Sequence, residues 1–215
     1  MPILYQKPVL PQGELGIWKI KESESYFLDR LVMDDIEKVQ FDQLKGRRRI
    51  EWLASRWLLH KMSGRDIRGA CLKDDFGKPF LVDSSYHISL SHSHELVSVI
   101  ASPFIVGIDI QFIVSKIGRL ANKFLNPDEL KSLSPSQRIE HLHVYWGAKE
   151  ALYKAYGKKL LDFKENIEVG PFELDPSGAG KIKAAIRKDN YSKSFMVYYQ
   201  KLGHYFLVYC VEGVG

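Results

Sequence analysis

The sequence predicts an α+β fold built as two α+β halves of similar size that join near Ile105. Three observations carry this. The 215 residues suit one large domain or two of about 100 residues each. A long helical pattern and several strand patterns lie on each side of Ile105. The last third of the chain is rich in β-favouring segments. No repeated segment links the halves by eye, so the boundaries, 1–104 and 105–215, rest on the order of elements.

Taken in order, Gly16–Ile20 (GIWKI) has strand character and Ser25–Met33 reads as a helix. A long helix is predicted over Phe41–Met62, where Ile50, Leu53, Trp57 and Met62 recur at helical spacing and Gly64 stops the run. Phe76-Gly77-Lys78-Pro79 is a turn between short extended segments. Strands follow at His87–Leu90, Leu96–Ala101 and Ile105–Ile110, the last after the Ser102-Pro103 break. Asn126-Pro127-Asp128-Glu129 opens a helix, with Asn as cap, Pro at the first helical position and acids at the positive end of the dipole. A second long helix covers Arg138–Tyr156 and ends at Gly157. Strands are then expected at Phe172–Leu174, Lys181–Ile186, Phe195–Tyr199 and Tyr205–Val211, with a turn at Asp175–Gly178.

Composition excludes several classes. With 27% charged residues and 9 Pro the chain is a folded globule, not a disordered or fibrous one. No stretch approaches the ~20 apolar residues a bilayer needs. Two cysteines, Cys71 and Cys210, make no disulfide framework, and the first residues show no basic-then-apolar leader, so a cytoplasmic location is expected. The net charge of +5 favours an anionic ligand or partner without demanding nucleic acid. Lys45 and Arg47–Arg49 form the densest basic cluster, but aromatics do not interleave with it as in single-strand binders.

Chemistry concentrates in three segments. In Val106–Gln111 (VGIDIQ) strand alternation sends Val106, Ile108 and Ile110 to one face and Gly107, Asp109 and Gln111 to the other. Gly107 leaves room for a ligand to approach the backbone. Asp109 either faces water or, if buried, needs a partner or a cation. In Trp146–Lys154 (WGAKEALYK), Trp146, Glu150 and Lys154 share an arc of about 80° on a helix. Glu150 and Lys154 alone read as a surface ion pair, and the alternative has Glu150 joining Asp109 on a hard cation that takes its other ligands from water and phosphate. In His87–Leu96, His92 and His94 alternate, but no third ligand completes a zinc site; Ser91 and His92, with Lys78 just upstream, suit phosphate. His141 and His143 read as structural.

Taken together and in this order, FGKP (76–79), SLSHS (89–93), VGIDIQ (106–111) and WGAKEALYKAYGK (146–158) resemble the 4′-phosphopantetheinyl transferases, in the larger class whose single chain holds two similar halves. The pairing of a G-I-D strand with a W-x-x-K-E-A-x-x-K helix is the specific part. The resemblance implies two halves related by a pseudo-twofold axis with coenzyme A in the cleft between them, and a monomer. It implies transfer of phosphopantetheine from coenzyme A to a serine of an acidic apo carrier protein, acyl or peptidyl, with release of 3′,5′-ADP. Asp109, Gln111 and Glu150 would hold Mg²⁺, or Mn²⁺ in its place. Lys154 would stabilise charge at the α-phosphate, and Glu129 matches a glutamate proposed as base for the serine. Lys78, Ser91 and His92 would contact coenzyme A phosphates, with further phosphate contacts near Lys38 and Arg47–Arg49.

One departure stands out: the larger class carries a glutamate where this chain has Gln111. An amide oxygen can ligate Mg²⁺ but brings no charge. The competing hypotheses are a homologue that binds coenzyme A or a carrier without turnover, supported only by Gln111, and a nucleic-acid binder, which leaves the strand and helix motifs unexplained.

Overall fold

The computed structural model describes residues 3–213. The fold is α+β, in two compact units, one ending at Phe104 and one starting at Ile105. The first contains β1 (Ile3–Pro8), β2 (Glu14–Lys19), α1 (Glu24–Leu28), α2 (Asp35–Asp42), α3 (Arg47–Ser63), β3 (Cys71–Lys73), β4 (Pro79–Leu81), β5 (His87–Ser93) and β6 (Leu96–Ser102). Its six-stranded antiparallel sheet runs β1-β2-β6-β5-β4-β3, and α3 packs on β2 and β6.

The second unit contains β7 (Val106–Phe112), a 3₁₀ turn at Ser115–Arg119, α4 (Ala121–Phe124), α5 (Pro127–Lys131) and α6 (Arg138–Tyr156). Strands β8 (Ile167–Val169), β9 (Ala179–Lys188), β10 (Tyr191–Leu202) and β11 (Tyr205–Glu212) follow. Its antiparallel sheet runs β7-β11-β10-β9-β8, and α6 packs on β7 and β11. The same chain order therefore recurs: a strand, a long helix, then a four-strand meander whose last strand pairs with the opening one. β2 and β7 open the two series, and β1 is additional. No helix among the described residues is long and apolar enough to cross a membrane.

Local chemistry explains most boundaries. Asn126 caps α5 by accepting from Asp128 N and Glu129 N, while Glu129 returns a bond to Asn126 N. Leu142, Tyr145, Ala148 and Leu152 form the buried stripe of α6, which ends at Gly157.

Three expectations need correction. The helix predicted over Phe41–Met62 is two helices, because Gly46 takes φ 57°, ψ −140°, a conformation that side chains exclude. The helix predicted over Ser25–Met33 ends at Leu28, and Asp34 caps a new one by accepting from Glu37 N. Phe172–Leu174 joins no strand ladder: Pro171 precedes it without an N–H, and the Phe172 ring packs on His141, Tyr145 and Tyr199.

Gly107 is also corrected. It leaves room not for a ligand but for the backbone of α6, since a Cβ there would overlap the carbonyl of Ala151. Gly147 plays the same part from the helix side: a Cβ would meet Gln111 Nε2 and Val208 Cγ2, both at 2.6 Å. Two glycines thus let α6 lie close on β7 and β11, within reach of Asp109 and Gln111. Gly107→Ala should force the helix away and cost about 1–3 kcal/mol or more, read as a lower urea midpoint. An unchanged midpoint would mean that the close approach is not required.

Candidate active site

Asp109 lies mid-strand on β7, facing α6, and is only 6% exposed, so the water-facing alternative fails. A carboxylate so placed needs a partner. Lys154, one turn after Glu150 on α6, supplies it: Nζ donates to Asp109 Oδ1 at 2.8 Å and to Ile108 O at 2.9 Å. The lysine therefore serves the strand aspartate as well as its helical neighbour Glu150. Burial pushes the Glu150 carboxyl up, the charge of Asp109 pushes the same way, and Lys154 opposes both. The two carboxylates are thus near enough to feel each other's charge, and Lys154 couples to both.

Gln111, two residues along β7, is held by α6 through both amide atoms. Nε2 donates to His143 O at 2.9 Å, and Oε1 lies 2.8 Å from His143 Nδ1. Val114 N donates to His143 Nε2 at 2.9 Å, which puts the ring proton on Nδ1 and makes Gln111 Oε1 its acceptor. Burial pushes the His143 imidazole below its ordinary range. His141 is likewise structural, its Nδ1 accepting from Ser134 N at 2.9 Å.

Glu129 is not beside this pair of carboxylates in the hydrogen-bond pattern. It is buried, with Oε2 accepting from Lys149 Nζ at 2.7 Å and from Asn126 N, and Oε1 accepting from Val169 N at 3.1 Å. Lys149 also donates to Phe163 O and Ile167 O. Burial moves the Lys149 ammonium down, with Glu129 opposing. This pair ties α5 and α6 to β8. Sequence reasoning passed over Lys149, although a lysine in register with Leu142, Tyr145 and Leu152 on a buried stripe signals a buried counter-charge.

In the first unit, Ser91 is buried on β5, which continues to Ser93 rather than turning at His92. His92 Nδ1 lies 3.2 Å from Glu51 Oε2, and Arg47 Nε donates to Glu51 Oε1 at 3.1 Å. Arg47 is thus the member of the basic cluster that stands with His92. Arg49 instead pairs with Glu24 and stacks on the Phe41 ring, and Lys38 pairs with Asp35. Lys78 occupies the turn before β4, its backbone N bonded to Asp74 Oδ1.

A model of the 4′-phosphopantetheinyl transferase superfamily matches residues 105–210, which carry Asp109, Glu150 and Lys154. A protein named 4′-phosphopantetheinyl transferase HetI, from Nostoc sp., is 29% identical over 196 residues, covering 82% of this chain and 81% of that one. The chain is thus similar to this superfamily, through the model match at 105–210 and through a named member along most of its length. A second superfamily relative, named 4′-phosphopantetheinyl transferase gsp, from Aneurinibacillus migulanus, is 30% identical over 133 residues, 60% of this chain. The chain spans about half the length of that relative, 52%.

Two carboxylates on facing elements raise the question of a metal. Among the described residues no group of three or more His, Cys, Asp or Glu could hold an ion. Asp109 and Glu150 are hard oxygen donors, and Mg²⁺ takes one or two carboxylates and fills its shell with water and phosphate oxygens. The donor set fits that ion.

Proposed function

We propose that the protein transfers 4′-phosphopantetheine from coenzyme A to a serine of an apo carrier protein, releasing 3′,5′-ADP. The observation that carries this reading is the grouping of Asp109, Glu150 and Lys154 on β7 and α6, inside the segment that matches the transferase family. Asp109 and Glu150 would hold Mg²⁺, and the amide oxygen of Gln111, which keeps a second lone pair beyond the one His143 uses, would be a third donor. Bound there, the ion supplies neutralisation of pyrophosphate charge.

The serine oxygen forms a bond to the phosphorus that bears pantetheine, and the bond from that phosphorus to the bridging oxygen breaks. The electron pair leaves with 3′,5′-ADP, and the serine proton passes through water to Glu150. Lys154, fixed by Asp109 and the Ile108 carbonyl, stabilises the charge on the departing α-phosphate without reorganising. Lys78, Ser91, His92 and Arg47 contact the remaining phosphates. Glu129 serves as scaffold, its oxygens already bonded to Lys149 and two backbone amides. A carrier with acidic helices suits the +5 chain.

Purified apo acyl and peptidyl carriers incubated with the protein, coenzyme A and Mg²⁺ test this by intact mass. At least one carrier gains one phosphopantetheine; coenzyme A binding with no carrier modified would assign the chain a binding role instead. Gln111→Glu should lower the Mg²⁺ concentration for half-maximal rate by adding a charge beside the ion. An unchanged or higher requirement would show that Gln111 only anchors His143.

A further inference from the structure

The first unit holds a cavity of about 480 Å³ beside α3, lined by none of the residues assigned to transfer above. Leu59 and Met62 from α3 face Leu81 and Val82 across it, and the rest of the wall is mixed, with Arg65 and Arg68 among the lining residues. At its back stands Arg56, buried at 3% exposure.

The charge balance around Arg56 does not close. Its nearest acid, Glu37, is fully buried and already committed to Arg68 Nη1 and Nη2 and to Cys71 N. Among the described residues Arg56 makes no ion pair, and its two hydrogen bonds are long, Nη1 to Ser55 Oγ at 3.2 Å and Nη2 to Cys71 O at 3.4 Å. Its Nε is buried with no hydrogen-bond partner, as is Nδ1 of His60, one turn along the same helix and also lining the cavity. Stacking on Trp52 compensates Arg56 only in part. Burial above all moves its guanidinium down from the ordinary value, and Arg68 adds to this. A buried cation without a counter-charge is costly and calls for an anion. Glu14, the one acid among the lining residues, accepts from the neutral amide of Gln6 and forms no ion pair with Arg56.

We propose that this cavity binds an organic monocarboxylate with a compact apolar body. Its carboxylate meets Arg56 and His60, and its body rests on Leu59, Met62 and Val82. One buried guanidinium without an ion pair matches one negative charge, its fork matches a carboxylate, and Leu59, Met62, Leu81 and Val82 offer an apolar body contacts that a bare phosphate cannot make. The site is separate from the transfer chemistry and does not rest on it.

Calorimetric titration of the full chain with benzoate tests the proposal, with benzyl alcohol and inorganic phosphate as comparators. Benzoate binds, and each comparator binds at least about tenfold more weakly, the size of one lost charged hydrogen bond. Arg56→Met weakens benzoate by at least about tenfold and leaves the thermal midpoint unchanged or higher, because a buried unpaired cation has gone. Val82→Trp, at the exposed end of the cavity, removes binding by filling it. The proposal is overturned if benzoate does not bind at millimolar concentration or phosphate binds as tightly. It also fails if Arg56→Met keeps the affinity or lowers the midpoint.

Discussion

Asp109→Ala and Glu150→Ala each lower the rate of carrier modification by about 10³-fold while the chain stays folded. On the proposed roles Glu150→Ala should cost at least as much as Asp109→Ala, since Glu150 also takes the serine proton, and the double variant should be little worse than Glu150→Ala alone. Lys154→Met should lose about 10²-fold. Its effect has two sources, loss of the ammonium at the α-phosphate and loss of the bond that orients Asp109. Rates come from single-turnover assays on one carrier, with circular dichroism confirming the fold. A variant at Asp109 or Glu150 that transfers at the parental rate would remove that residue from the chemistry.

The second large effect is on stability. Lys149→Met leaves the Glu129 carboxylate buried beside an apolar group, and breaking a buried pair in this way costs about 3–5 kcal/mol. At roughly 2–4 °C per kcal/mol for a chain of this size, the thermal midpoint should fall by about 6–20 °C. Glu129→Gln separates scaffold from base. A scaffold residue changes the midpoint and leaves kcat within a few-fold; a base loses kcat at an unchanged midpoint.

How much of this is legible in the sequence follows from the range of each interaction. The helix over Arg138–Tyr156 reads correctly at both ends because its apolar stripe and Gly157 are local signals. The α5 start is legible for the same reason, since Asn126, Pro127 and Glu129 satisfy their own backbone. The break at Gly46 lies before the first recurring residue, Ile50, so the apolar spacing that marks the helix does not mark its start.

Partners distant in sequence are harder to see. Helical spacing pairs Lys154 with Glu150 alone, yet its shortest ion pair is with Asp109, 45 residues away, because Gly107 and Gly147 bring helix and strand together. The space above Gly107 was readable, but not that a helix fills it. Gln111 and His143 likewise meet only once α6 lies on β7. Strand alternation and helical spacing put Asp109 and Glu150 forward as candidate carboxylates, Gln111 enters as a ligand only through the family resemblance, and the partners of all three depend on packing.

Mn²⁺, a hard cation visible by electron paramagnetic resonance, probes the shared-ligand geometry directly. With coenzyme A present, the parent chain should take up a single Mn²⁺. Asp109→Asn and Glu150→Gln should each weaken that binding by at least the roughly 10–100-fold typical of losing even an outer-shell partner. Undiminished Mn²⁺ affinity in both variants would mean that these two side chains hold no common ion.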